Sequence, residues 1–523
     1  MLLAPLRQNT RRGPVSQGAS IPAPIEGWDD SSPLADMSPK RAIVLDNWWP
    51  EPAYCALRKG FKQHSNTGVT DAIESLMAYH GSAAGTNKLF AVADDTIYNV
   101  SASSGSATSV TSLTSAKCQH VNFTVSGGSY LIVVNGADAP LGFNGTAWAA
   151  LTLTSSIDED TFIHVNVFKN RLFFIPENST KFCYLPVDSV GGTVTSFELG
   201  GLMSLGGYVV AMGTITIDGG SGPDDQAVFI TSKGQVILFQ GSDPDDTNAW
   251  AHVGTYSLPP PIGRRCLVKI AGDLGILTTS GLLPLSKAMV VDRAAVDNVA
   301  LTGRINNTMT ASARSYGAND GWQAIVYPRG NMCLVNIPVT SGGTAYQYVM
   351  NTLHGAWCRF TGQNALCWEV FQDRLFFGGN DGKVYEADAT SSDNGVAITA
   401  DMKTAFNYYG TKGRLKNWKM VQTLIRSDGR VTPAIKMNED FKDEIPVFIP
   451  NTAASSSLKW NNFQWNLATW PSTRLVSNDW QSVDKTGRCA AIRIRVIAES
   501  SSSTPITMEV NGFNVIYEVG GFL

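Results

Sequence analysis

The 523-residue chain is too long for one hydrophobic core, so its length calls for two or three domains or a large repeat array. Charged residues make up 16% of it, below the roughly 25% of an ordinary soluble domain, against 43% hydrophobic residues and 49 glycines, a balance that suits strands and turns. The net charge of -4 comes from scattered residues, which excludes a polybasic stripe for tight nucleic-acid binding and an acidic tail.

Residues 1–40 carry Pro5, Pro14, Pro22, Pro24, Pro33 and Pro39 among polar side chains. This is the composition of an extended arm that a neighbour must order. The start, MLLAPLRQNTRRGP, lacks the apolar stretch of a secretory signal, and the most apolar runs, such as YLIVV, are far shorter than a membrane span. Both features fit a soluble protein made in a reducing cytoplasm. The eight cysteines, Cys55, Cys118, Cys183, Cys266, Cys333, Cys358, Cys367 and Cys489, contain no C-x-x-C pair, so they read as reduced core residues.

Next comes AIVLDNWWPEPAYCALRKGF, residues 42–61. Ile43, Val44 and Leu45 read as a strand, and Trp48 and Trp49 as packing where the chain leaves it. Pro50 and Pro52 fix a turn into a second strand through Tyr54, Ala56 and Arg58.

From 71 to 395 one pattern returns seven times: a polar turn, a short apolar run, a turn with Gly or Asp, and another strand. NKLFAVADDTIYNVS (87–101), KNRLFFIPENSTKFCYLPV (169–187), QAVFITSKGQVILFQG (226–241) and QDRLFFGGNDGKVYEADA (372–389) show it most clearly. Equivalent positions recur every 41 to 57 residues, the period of four-stranded propeller blades. The prediction is a β-propeller of about six to eight blades, with another large all-β fold as the alternative. Asp381-Gly382 predicts a type I′ hairpin turn. One tract departs from the pattern: Ala295, Val296, Val299, Ala300 and Ile305 stand near helical spacing, which predicts a helical insertion near 292–316. Beyond 396 longer alternating strands return, with a basic loop GTKGRLK. Ile492, Ile494 and Val496 alternate with Arg493 and Arg495, the pattern of a strand with one buried and one wet face. Residues 396–523 therefore read as a separate β domain.

Motifs of chemistry are missing: the chain has no phosphate-binding P-loop, H-E-x-x-H, G-x-S-x-G or EF-hand loop, so a non-enzymatic protein without a cofactor is expected. The six histidines, His64, His80, His120, His164, His252 and His354, are isolated in sequence and read as packed or surface residues. Asp224 and Asp225, and Asp243, Asp245 and Asp246, suit either turns or a Ca²⁺ site. Trp460, Trp465, Trp470 and Trp480, with Phe463, suit a packed core or subunit contact, and alternatively a sugar-stacking surface.

Six stretches in order, GWDDSSPLADMSPKRAIVLDNWWPEPAYCALRKGF, NKLFAVADDTIYNV, YPRGNMCLVNIP, YVMNTLHGAWCRF, RLFFGGNDGKVYEAD and NVIYEVGGF, resemble the tail nozzle proteins, or tail tubular protein B, of short-tailed bacteriophages. The resemblance implies a structural virion protein: a homohexameric ring at the distal tail, with outward β-propellers and an axial, β-sandwich-like platform domain built from both chain ends, residues 41–70 with 396–523, in which the stretch 42–61 lies against the C-terminal β domain rather than the first repeat. It implies docking on the tail adaptor ring, tail fibres or tailspikes as further partners, and double-stranded DNA passing the lumen at ejection, with synthesis in the host cytoplasm. A near-neutral charge suits a conduit, because a strongly basic lining would hold phosphates. A carbohydrate-binding or glycoside-cleaving β-propeller is the alternative reading.

Overall fold

A computed structural model describes residues 16–103, 105–218, 223–427, 432–447, 451–452, 475–498 and 507–522. The chain divides into two compact units, one of residues 58–396 and one of both ends together, 1–57 with 397–523. Among the described residues no helix is long and apolar enough to cross a membrane.

The unit of residues 58–396 is a β-propeller. Among its described residues four antiparallel sheets of four strands, one sheet of three and two further antiparallel runs of four strands make up the blades. The innermost strands are Ser75–Tyr79, Gln119–Val125, Phe162–Phe168, Val209–Asp218, Leu267–Ile270, Gln323–Tyr327 and Ala365–Phe371. Each sheet contacts the next, and Ala365–Phe371 packs back on Ser75–Tyr79 to close the ring. Blades stacked this way are covered on both faces, which explains why the apolar residues come in runs rather than alternating. Leu89 through Ala93, Leu131 through Val134 and Leu172 through Ile175 are all buried. Between the third and fourth blades the fill is aromatic: Phe182 stacks on Phe229 at 4.4 Å and Phe239 on Trp250 at 5.2 Å.

The last blade takes its fourth strand from the start of the unit. Gly60–Asn66 pairs antiparallel with Lys383–Thr390. Residues 58–70, which the resemblance assigns to the platform, therefore belong to the propeller. The seam is pinned by Arg58, whose Nη1 and Nη2 donate to the two carboxylate oxygens of Asp393 at 2.8 and 2.6 Å. The three-stranded sheet, Leu267–Ile270, Asp273–Thr278 and Gly281–Pro284, comes directly before the helical insertion expected near 292–316, and helix stands in place of its fourth strand. A 3-10 segment Arg293–Val299 and an α-helix Asn306–Tyr316 follow it, with Val296 packed in the same apolar cluster as Leu274, Ile276 and Leu283.

The hairpins use turns that differ from the expected one. Asp381 does not adopt positive φ, so the turn before Lys383 is not type I′; Gly382 alone does, at φ 73°, and the Asp381 carboxylate instead accepts from Tyr385 Oη at 2.7 Å. Two-residue turns with both φ values positive occur at Asp94-Asp95, Lys169-Asn170 and Gln372-Asp373.

The unit of the two chain ends holds two sheets. In the first, Met508–Phe522 pairs with Arg414–Ser427 on one side and with Ser16–Pro22 and Cys55–Leu57 on the other. Residues 16–22 are therefore a strand in register over its full length, not an arm awaiting a neighbour; residues 1–15 lie outside the described residues. The second sheet runs Ala42–Asp46, Ile398–Thr404, Ala490–Ala498 and Ala434–Glu439. Its strand Ala434–Glu439 packs on Trp480–Gly487 of the first sheet, giving the sandwich.

One expectation for this unit fails: Arg493 does not face water. It is 6% exposed, holds both oxygens of Asp401 at 3.0 and 2.9 Å, and reaches Asp443 at 2.8 Å. Lys403, 3% exposed along its side chain, shares Asp443 at 2.9 Å, and Arg495 sits 3.3 Å from Asp401. The alternation was real, but the second face of the strand carries a paired charge network instead of solvent.

Candidate functional site

Trp48 and Trp49 form Trp48–Pro50, a strand paired with Cys55–Leu57 through a turn containing Pro52. Both indoles are buried, and Trp49 Nε1 donates to Glu51 Oε1 at 3.0 Å. Pro50 pairs with Cys55, and Pro52 is exposed at the turn. These four residues build the unit's own packing. Trp460, Trp465 and Trp470 lie outside the described residues.

The aspartate-rich turns bond protein groups. Asp225 accepts from Lys169 Nζ at 2.7 Å and Thr216 Oγ1 at 2.9 Å, Asp243 pairs with Arg171 at 3.1 Å, and Asp245 accepts from Tyr184 Oη. Among the described residues no three His, Cys, Asp or Glu side chains form a metal-binding group.

Chemistry-bearing side chains gather at the inner strands of the propeller, around two adjoining cavities of about 130 and 140 Å³ that share Gln119, Arg264 and Arg265. The inner cavity is lined by His120 from the second blade, His164 from the third, Gln323 from the sixth and Glu369 from the last. The two histidines are thus brought to one site although they are isolated in sequence. The other cavity adds Glu74, Lys117 and Asp320, with Lys117 and Asp320 paired at 2.5 Å.

Each polar group is positioned by backbone. Gln323 clamps the last blade, donating to Trp368 O at 2.8 Å and accepting from Trp368 N at 2.9 Å. Arg265 Nη2 donates to Glu74 O at 2.8 Å, Ser75 Oγ at 2.7 Å and Cys118 O at 3.3 Å, tying the segment before Leu267 to the first two blades. His164 Nε2 lies 2.9 Å from Met212 O, so the tautomer protonated at Nε2 is the one that satisfies the carbonyl. His120 Nε2 and Glu369 Oε2 are 3.5 Å apart.

Enclosure drives these groups toward their neutral forms. Burial holds His120 down to about 4, with Arg265 and His80 adding to the effect, and burial takes His164 to about 4 as well. Burial lifts Glu369 to about 8, against smaller opposing contributions from the Val370 N–H and Arg265. At neutral pH the site therefore holds two neutral imidazoles, a protonated carboxyl and cationic guanidinium groups. One sequence signal marks it: the tripeptide His-Val-Asn occurs at 120–122 and again at 164–166, on adjacent inner strands.

No protein-family model matches the chain, and no curated protein sequence matches it. Among solved structures, BBS1N in complex with ARL6DN aligns at 10% identity and TM-score 0.39, over 63% of this chain and 97% of its own. YCF48 from Cyanidioschyzon merolae aligns at 11% identity and TM-score 0.26, over 57% and 79%. Chaetomium thermophilum Raptor aligns at 11% identity and TM-score 0.37, over 63% of this chain and 29% of its own.

Proposed function

We propose that this chain is a structural subunit of the distal tail of a short-tailed bacteriophage, a nozzle protein that acts as a homohexameric ring. In this reading the unit built from both chain ends forms the ring platform, docked on the tail adaptor, and the propeller is an outward appendage open to tail fibres or tailspikes. The ring is a conduit and gate through which double-stranded DNA leaves, and the protein is carried in the virion tail after synthesis in the host cytoplasm.

The observation that carries the reading is the chain path. The first strand, Ser16–Pro22, and the last, Met508–Phe522, pair in one sheet, and residues 58–396 form a propeller inserted as one excursion between them. That is the arrangement the six resembling stretches imply. It is also a mechanically sound one, because an inserted propeller that closes on its own Gly60–Asn66 strand leaves the sheet of the two termini intact.

The test is location and mass. Cryo-electron microscopy of the assembled particle is expected to place six copies at the distal tail, and the ring released from particles to run near six times the 56.2 kDa chain. A chain absent from purified particles, or present there as scattered single copies, overturns the proposal.

A further inference from the structure

The first sheet of the unit built from both chain ends stops at two open edges. Ser16–Pro22, Met508–Phe522, Arg414–Ser427 and Trp480–Gly487 lie side by side in it, each antiparallel to the next. The two outer strands are therefore antiparallel to each other. Among the described residues no strand pairs with the far side of either.

The registers set the two edges level. Ser20, Asn514, Gln422 and Trp480 form one row across the sheet, and Gly18, Ile516, Met420 and Ser482 form another. Side chains fasten the first row: Ser20 Oγ donates to Asn514 Oδ1 at 2.6 Å, and Asn514 Nδ2 to Gln422 Oε1 at 2.8 Å. Backbone direction alternates along a strand, and Ala23 N donates to Asn511 O, so Ile21 and Ala19 also spend their backbone groups on Met508–Phe522. Ser20 and Gly18 turn theirs outward, as does Pro22, which has no N–H to leave unpaired. Carried along the rows, the same alternation turns the backbone groups of Trp480 and Ser482 away from Arg414–Ser427. Both edges thus present N–H and C=O groups outward at the same height.

We infer that this sheet continues from one copy of the chain into the next, the strand Ser16–Pro22 of one copy pairing antiparallel with Trp480–Gly487 of its neighbour. Ser20 then stands opposite Trp480, and Gly18 opposite Ser482. Level edges let such a head-to-tail contact repeat without climbing along the strands, which favours a closed ring over a helical filament. The side chains are complementary. Gly18 has open space around it and Trp480 is 40% exposed, so the indole of one copy covers the glycine of the next from the diagonal position. Residues 16–22 carry no charge and pair without a bulge, so this edge lacks the devices that guard exposed strands against pairing. At the other edge the bulge, where Asp484 takes φ 37°, comes after Ser482 and leaves the rows of Trp480 and Ser482 regular. The contact follows from the sheet alone; the proposed ring adds only the number of copies.

Thiol crosslinking of the concentrated full chain tests it, with Gly18→Cys and Ser482→Cys combined. Within one copy the two positions lie three strand spacings apart, roughly 14 Å, so a shorter bis-maleimide joins them only between copies. The eight native cysteines are buried and stay out of the reaction. The double variant is expected to give a series of linked chains, and each single variant none. Ser20→Pro, added to the double variant, removes an outward N–H and no backbone bond within the chain. It is expected to cut the linked fraction about tenfold at an unchanged unfolding midpoint. A double variant that stays single-chained, a single variant that dimerises by itself, or a series that Ser20→Pro leaves unchanged overturns the inference. A series ending at a number other than six supports the contact and counts against the six-copy ring. Six copies imaged on a particle whose paired cysteines do not link overturn the contact and leave that ring in place.

Discussion

Removing the Arg58 guanidinium tests whether the propeller ring is held shut by its seam. Arg58 is 3% exposed, binds Asp393 through two parallel bonds, and donates further to Thr361 O at 2.6 Å and Lys59 O at 3.0 Å. It thereby joins the entry of the unit to its exit beside the strand Trp357–Phe360. Arg58→Met keeps much of the apolar stem and leaves the Asp393 carboxylate, 11% exposed, without its bidentate partner. Breaking a buried pair from one side costs about 3 to 5 kcal/mol, and the residual exposure of Asp393 puts the expected loss near the lower figure, about 3 kcal/mol. At about 1.4 kcal/mol per decade, native-state hydrogen exchange of the Gly60–Asn66 amides is expected to quicken roughly a hundredfold. Asp393→Leu combined with Arg58→Met removes the stranded charge, so the double variant is expected to be less damaged than the sum of the two single ones. A coupling below about 0.5 kcal/mol in that cycle would refute the idea that this pair closes the ring.

Three further outcomes follow from the geometry. Gly382→Ala is expected to destabilise the propeller by more than about 2 kcal/mol in denaturant titration, since φ is 73° and a Cβ would stand 1.9 Å from Val69 O; Gly410→Ala, at φ 85° with open space around it, is expected to cost only about 1 kcal/mol. Arg493→Met, which takes the bidentate partner from Asp401 and leaves it Arg495 at 3.3 Å, is expected to cost about 2 kcal/mol, less than a fully stranded charge, read as a lowered midpoint for that unit. The axial groups contribute to the pH dependence of propeller stability. Between about 4 and 6.5 the unfolded chain protonates His120 and His164 while the folded chain does not, so stability rises with pH. Glu369 works in the opposite sense, keeping a proton up to about 8 that an ordinary glutamate releases near 4.5, so its contribution falls as pH rises through that window. The combined contribution of these three groups rises with pH below about 6.5 and falls above it. Each proton contributes at most about 1.4 kcal/mol per pH unit. Glu369→Gln is expected to remove that falling contribution, and a difference between variant and wild-type stability that stays flat from pH 5 to 8 would refute the assignment.

Local patterns were the legible part. Val296 and Ile305 stood at helical spacing and are buried on a helical tract, because a short amphipathic segment needs only its own sequence to declare its period. Turn geometry was less legible. Lys169-Asn170 and Gln372-Asp373 take positive φ without a glycine, between flanks that read NVF and RLFF in one case and EVF and RLFF in the other. Strand pairing on both sides forces the tight reversal, and the turn residues accept it. The polarity of a strand face was misleading where its partner came from afar. Alternation around Arg493 suggested a wet face, but Asp401 and Asp443 arrive from 92 and 50 residues away to cover it.

The axial site was the least legible because a ring sorts residues by a rule that sequence distance does not follow. His120 and Glu369 lie 249 positions apart, yet the ring closes when Ala365–Phe371 packs on Ser75–Tyr79, and the second blade is the next one along. Every innermost strand borders the same axis, so polar residues on those strands become neighbours however many blades separate them in the chain. A histidine judged alone in its own stretch of sequence is judged by the wrong neighbourhood. The useful question for a repeat of this kind is which polar residues fall on the first strand of each unit. Asked of this chain, its answer includes Gln119, His120, His164, Gln323 and Glu369, which line the inner cavity beside Arg265.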